Sequence, residues 1–333
     1  MNKSLSFPGL KGKNILITGG LGFIGSNLAI KCLESEANVT IIDSLAPNSG
    51  GNLFNIVSIK DRINLVFADI LDFKEVSNII YQKDIIFNCA ASTSHPLSMR
   101  EPLIDSDVNS KGQLTLLEAA KRFNPAIKYV HVGTSTQLGS LRYSPANEEH
   151  PEFPTDIYSA NKSVSEKFAI IYSKAFDMDI TVLRLSNVYG PRACIKSADF
   201  TFNNYFIGLA LQDKQITIYG KGDQLRNFIY IDDAVSALIM AALNDKTKGE
   251  VFFAVGDEHV SVAGIALKII NVFQRGSLKF IDWPKERKAT EIGDAILSNE
   301  KIKKTISWAP EYNLDEGLEK TKDFYNKHSG YYL

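Results

Sequence analysis

The chain has 333 residues, enough to bury a large core as one big α/β domain or as a domain with a smaller lobe. Lys and Arg number 37 against 38 Asp and Glu, a formal net charge of -1, so nothing calls for nucleic acid or an anionic membrane surface. Cys32, Cys89 and Cys194 are odd in number and widely spaced, which argues against a disulfide framework or a metal site; no apolar run is long enough for a bilayer, residues 1–12 lack the apolar core of a signal peptide, and a reducing cytoplasm is the expected compartment.

The apolar run Asn14–Thr18 reads as a buried parallel strand and ends in a glycine turn. Gly19, Gly22 and Gly25 then lead into a helical pattern that opens with Phe23 and Ile24 and runs to Glu34. Glycine permits the tight turn and lets backbone approach a pyrophosphate, while the helix N-terminus offers unsatisfied N–H groups to it. A second strand over 39–42 ends in Asp43, about 20 residues on, where a carboxylate accepts both ribose hydroxyls of NAD and repels the 2′-phosphate of NADP. Further strands are expected at 63–67 and 84–88, alternating with helices, which implies a Rossmann-like, doubly wound parallel sheet with ligands at the strands' carboxyl ends. Asp69 and Ile70 follow one of these strands, where they would meet the adenine. Ala90 and Ala91 follow the next and are small enough for backbone to approach the cofactor. The loop after them brings Ser94 and His95 towards the same crevice as candidate sugar contacts, His95 also as a second acid/base. Residues 113–122 read as a long amphipathic helix without chemistry of its own.

A fifth strand over 128–132 runs into Thr134-Ser135-Thr136, where it should exit beside the nicotinamide. Tyr158 and Lys162 follow at i and i+4, one helical turn apart on one face. A cation beside the phenol favours phenolate and makes Tyr158 a usable proton acceptor, with Lys162 also binding the nicotinamide ribose and Thr134 hydrogen-bonding the reacting oxygen. Ser135 and Thr136 are candidates for sugar hydroxyls. The N-terminal part, 1–189, is expected to be the NAD-binding domain and 190–333 a smaller substrate lobe, with strands near 182–184 and 251–254 rejoining the main sheet. Residues 327–333 read as a loose tail.

Taken together, Thr18 to Gly25, Asp43, Asp69, Tyr158 to Lys162, Leu183 to Pro191, Tyr219 to Asp233, Trp308-Ala309-Pro310 and Glu316-Gly317-Leu318 resemble the extended short-chain dehydrogenase/reductase superfamily in its nucleotide-sugar epimerase/dehydratase branch. The resemblance implies NAD as cofactor, a nucleotide-diphosphate sugar as substrate, and a homodimer formed through two helices. It further implies that Asn187, Arg226 and Arg287 contact the diphosphate, which suits the guanidinium fork. The chain departs from the family pattern at Asn227, where Asp is usual, and at Gln137-Leu138-Gly139, where Val-Tyr-Gly is usual. Dehydratases carry an Asp-Glu pair directly after the threonine, and decarboxylases a glutamate at the second of those places. Here Ser135 and Thr136 stand there, and neither serves as an acid or base at neutral pH. The expected reaction is therefore a 4-epimerisation of the UDP-galactose 4-epimerase type, with Tyr158 as acid/base. A net 4-dehydrogenase or 4-ketoreductase shares the same trio, and a non-catalytic dinucleotide-binding module shares the fold.

Overall fold

The computed structural model describes residues 6–47, 49–285, 288 and 291–333. Seven parallel strands form the central sheet: β1 (Asn14–Thr18), β2 (Asn38–Asp43), β3 (Asn64–Phe67), β4 (Ile85–Asn88), β5 (Lys128–Thr134), β6 (Ile180–Leu185) and, from far along the chain, Val251–Ala254. Their spatial order is 251–254, β6, β5, β4, β1, β2, β3. Order reverses beside β1, which pairs with both β2 and β4, and such a reversal opens a crevice at the strands' carboxyl ends.

The sheet is doubly wound because its strands are apolar on both faces. Ile15 and Ile17 enter one core together with the C-terminal residues Phe206, Leu238, Ile265 and Trp308. Leu16 enters the other, with Leu116, Leu117, Tyr129 and Val182. Helices α1 (Phe23–Glu34), α2 (Phe73–Ile80), α3 (His95–Arg100), α4 (Pro102–Ser106), α5 (Gly112–Phe123) and α6 (Ile157–Phe176) connect the strands. Helix α6 starts where the side chain of Asp156 accepts the Ser159 N–H at 2.8 Å, and it ends at Asp177 in the left-handed conformation.

Beyond β6 the chain builds a smaller set of elements over the crevice. Helix α7 (Phe202–Leu211) precedes a parallel pair formed by Gln215–Tyr219 and Ser277–Ile281, and Leu225–Asn227 pairs antiparallel with His259–Ser261. The expected division at 189/190 does not separate two cores. Val188–Tyr189 pairs with Ile229–Tyr230, residues 251–254 extend the main sheet, and one hydrophobic cluster runs through both parts.

Residues 327–333 correct the expectation of a loose tail. The helix Leu314–His328 continues through 327 and 328, and a short turn at Ser329–Tyr331 follows. Tyr331 stacks on Phe54 at 3.7 Å between ring centres, and Tyr332 is buried with its hydroxyl donating to Asn55 Oδ1 at 2.6 Å. Asn55 in turn donates to the Leu21 carbonyl, inside the glycine turn after β1. Aromatic burial orders the segment, and no local period reveals the partners because they lie more than 270 residues away.

Candidate active site

The ends of β1, β2, β4, β5 and β6 and the overlying C-terminal elements enclose a cavity of about 460 Å³. Gly19, Gly22, Phe23, Ile24, Gly25, Asp43, Asp69, Ile70, Ala90, Ala91, Ser94, His95, Thr134, Ser135, Thr136, Tyr158, Lys162, Asn187 and Arg226 all line it. Arg287 lies outside the described residues.

One end of the cavity is shaped by backbone. Gly19 has φ +65°, and a Cβ there would approach the Ala90 backbone to 2.8 Å. A Cβ on Gly25 would sit 2.4 Å from the Gly19 carbonyl oxygen, so the first turn of α1 packs against the strand end only as glycine. Asp43 is fixed by two amides, from Leu21 at 2.9 Å and Leu45 at 2.8 Å, one to each carboxylate oxygen. Each oxygen keeps a further lone pair for an incoming hydroxyl. Asp69 accepts the Leu71 N–H at 2.9 Å. The turn and helix N-terminus suit a pyrophosphate, and Asp43 a ribose diol.

The other end is shaped by side chains. Thr134 Oγ1 lies 3.2 Å from Thr136 Oγ1, which accepts a hydrogen bond from Ser159 Oγ at 3.0 Å, so three hydroxyls run along this wall. Tyr158 is almost wholly buried. Burial pushes its phenol well up, the Thr134 hydrogen bond pulls it down, and the charges of Asp105 and Asp156 push it up again. The expected partnership with Lys162 takes another form. The ammonium donates to the Val132 carbonyl at 2.6 Å and lies 3.5 Å from His131 Nε2, and burial pulls it down to about 8 against the opposing pull of Cys89, Glu166 and Asp105. His131, buried and close to that ammonium, is held far below its ordinary value and stays neutral.

Several residues that pattern alone did not single out fix this end. Asp156 caps α6 through Oδ1, and its Oδ2 meets His95 Nδ1 at 2.6 Å. Ser98 Oγ accepts the Tyr158 N–H at 3.1 Å and donates to the His95 carbonyl at 2.8 Å. Asn109 holds the loop after β4 by bonding both N–H and carbonyl of Ser92. An Asp three residues before Ser159 at the start of a helical pattern is a capping signal, so Asp156 was findable; Ser98 fits a loop spacing of the resembled family, and Asn109 carries no local signal.

The unusual Gln137 is fully buried and turned away from the crevice. It donates to Glu152 and Glu166, each at 3.1 Å, and both carboxylates also bind Arg184 of β6. This network ties the turn after Thr134 to the helix carrying Tyr158. Asn227 is likewise internal: its side chain donates to the Gly256 carbonyl and accepts the Leu297 N–H, and its carbonyl takes the Asn187 amide at 2.9 Å. Arg226 already has partners, with Nη2 3.0 Å from Glu291 and Nη1 on the carbonyls of Leu225 and Gly293.

Residues 16–321 match the protein-family model described as GDP-mannose 4,6 dehydratase. The chain is 30% identical over 309 residues to a putative UDP-glucose 4-epimerase of Methanocaldococcus jannaschii, covering 92% of this chain and 96% of that one. It is also 30% identical over 374 residues to a dTDP-D-glucose 4,6-dehydratase of Dictyostelium discoideum, covering 96% and 83%. Among solved structures, the UDP-glucuronic acid 4-epimerase of Bacillus cereus, in complex with UDP-glucuronic acid and NAD, superposes with a TM-score of 0.84 at 27% identity, covering 95% of this chain and 99% of that one.

Proposed function

Because the chain belongs to the GDP-mannose 4,6-dehydratase family within the extended short-chain dehydrogenases/reductases, we propose that it is an NAD-dependent nucleotide-sugar 4-epimerase. The observation carrying this reading is the hydroxyl wall: the two positions after Thr134 hold Ser135 and Thr136, and the carboxylates lining the crevice among the described residues are Asp43 and Asp69, both at the dinucleotide end. A 4-keto sugar formed here would meet no carboxylic acid to drive elimination, so rotation and reversal of the first step is the chemistry these residues support.

The glycine turn over Gly19, Gly22 and Gly25, with Phe23 and Ile24, would hold the pyrophosphate of NAD; Asp43 its adenosine ribose; Asp69 and Ile70 its adenine; and Ala90 and Ala91 its middle. NAD, when bound, supplies reversible acceptance of the sugar's carbinol hydrogen. Tyr158, acting as phenolate against the burial that raises it, takes the hydroxyl proton and gives it back to the same oxygen, while the sugar carbon, after rotation, regains its hydrogen on the opposite face. Thr134 holds the phenol oxygen and the reacting oxygen in one hydrogen-bonded set. Lys162, charged below pH 8, places positive potential behind them. Ser94, His95, Ser135 and Thr136 bind the hexose, and Asn187, Arg226 and Arg287 the diphosphate. The second helix of the expected homodimer would pair with α6, where Val164 and Ile171 are exposed, beside the exposed Leu103 and Ile104 of α4.

The deciding experiment incubates the purified protein with UDP-, dTDP-, CDP- and GDP-hexoses and follows both the sugar stereochemistry and the nicotinamide absorbance. Inversion at C4 without net NADH is the expected result. Stoichiometric NADH with accumulation of a 4-keto sugar sinks the epimerase reading in favour of a net 4-dehydrogenase, which the shared trio also permits.

A further inference from the structure

Resting on that reading of the crevice, one of its lining residues, His95, is held by a partner behind it, Asp156. His95 and Asp156 lie 61 residues apart in sequence, and their contact joins the start of α3 to the start of α6. Burial alone would raise the Asp156 carboxyl, but the His95 bond and charge and the Ser159 amide outweigh it and hold the group below the usual carboxylate range. Asp156 is therefore an anion at neutral pH and must accept the Nδ1 hydrogen, which leaves Nε2 as the ring nitrogen facing outward. No protein group among the described residues is bonded to Nε2, and His95 lines the cavity with about a third of its side chain open.

The imidazole is also locked to the acid/base tyrosine. The two rings meet nearly edge-on, with centroids 4.7 Å apart and planes at 72°. One carboxylate fixes both partners, Oδ2 holding His95 and Oδ1 the first turn of the helix that carries Tyr158. Ser98 adds a second bridge between the Tyr158 N–H and the His95 carbonyl. A surface histidine needs no such double anchoring. A group that must present one nitrogen at a set distance from the reacting carbon does.

We propose that His95 is the specificity-determining residue of the sugar subsite: its Nε2, aimed by Asp156, hydrogen-bonds a hexose hydroxyl near the C4 oxygen that Tyr158 serves, on C3 or on C6. The substrate class is thereby narrowed to nucleotide-diphosphate hexoses that keep that hydroxyl. A polar nitrogen that the bound sugar covers but does not pair is what rejects the deoxy analogue.

The test is a cycle between sugar and side chain. Using whichever nucleotide-hexose the protein turns over, kcat/KM is measured for the parent sugar, its 3-deoxy form and its 6-deoxy form, with wild type, His95→Gln and His95→Phe. One deoxy sugar should be slower by about tenfold or more with wild type, the gap should close to within about twofold with His95→Phe, and His95→Gln should restore part of it. NAD retention and the thermal midpoint report folding, and His95→Ala replaces the phenylalanine variant if that one does not fold. An unchanged gap in the folded variant overturns the proposal, as does a wild type that treats all three sugars alike. Turnover of sugars with no His95-dependent gap leaves the epimerase reading standing; no reaction with any nucleotide-hexose removes both.

Discussion

The two ends of the crevice are built from different materials. At the end proposed for the dinucleotide the shape comes from main chain: glycines 19, 22 and 25, the first turn of α1, and amides that fix Asp43. At the end proposed for the sugar the shape comes from side chains that hold one another, with Thr134, Thr136 and Ser159 in a row, His95 on Asp156 and Arg226 on Glu291. A backbone cradle reads what every NAD has in common and tolerates little change. A side-chain cradle can be rewritten residue by residue while the fold stays put, which is how one family hosts several reactions.

The largest break in that comparison should come from Tyr158→Phe. Loss of the proton acceptor is expected to lower kcat by about 10³-fold while bound NAD survives purification, so chemistry fails with the cofactor end intact. Loss of NAD in that variant would show that the two ends are not separable. Gly25→Ala attacks the opposite end. Its methyl would lie 2.4 Å from the Gly19 carbonyl, and NAD affinity should fall on the order of 100-fold with the dissociation constant as readout. Affinity within twofold of wild type would refute the backbone account.

Titration sharpens the contrast further. Lys162 falls from an ordinary 10.5 to about 8 through burial, so the folded chain releases its proton earlier than the unfolded chain does. Two consequences have opposite signs. Activity should decline as pH rises through about 8, by roughly tenfold per unit beyond it, because the ammonium behind Tyr158 is lost. Stability contributed by this group should increase between 8 and 10.5, where the unfolded state binds more protons, and Lys162→Met should abolish that rise in pH-dependent denaturation. The smallest effect is expected from Glu291→Gln, which frees Arg226 for a diphosphate and should lower KM for the nucleotide-sugar by about threefold, leaving NAD binding alone. A raised KM would mean that Glu291 aims the guanidinium rather than occupying it.

What could be read from sequence followed the same division. Strand Asn14–Thr18, helix Phe23–Glu34 and the placement of Asp43 were legible because a period, a glycine spacing and an acidic residue about 20 positions on are local signals. So was the return of residues 251–254 to the main sheet. The first two turns of α6 put Tyr158 and Lys162 where i,i+4 geometry requires, yet the bond that Lys162 makes, to Val132 of the neighbouring strand, depends on how deep the helix sits, which spacing does not encode. Gln137, where Val is usual, is an internal strut to Glu152 and Glu166, a role no local signal carries because its partners come from α6 and from the segment before it.

Tyr332 reaches back to the turn that follows β1. Two hydrogen bonds lead from its phenol oxygen through Asn55 to the Leu21 carbonyl, so the glycine turn after β1 is braced from behind by a residue more than 270 positions away. The shape of the glycine turn therefore depends on a residue that does not line the crevice, and trimming Tyr332 should loosen that turn from a distance.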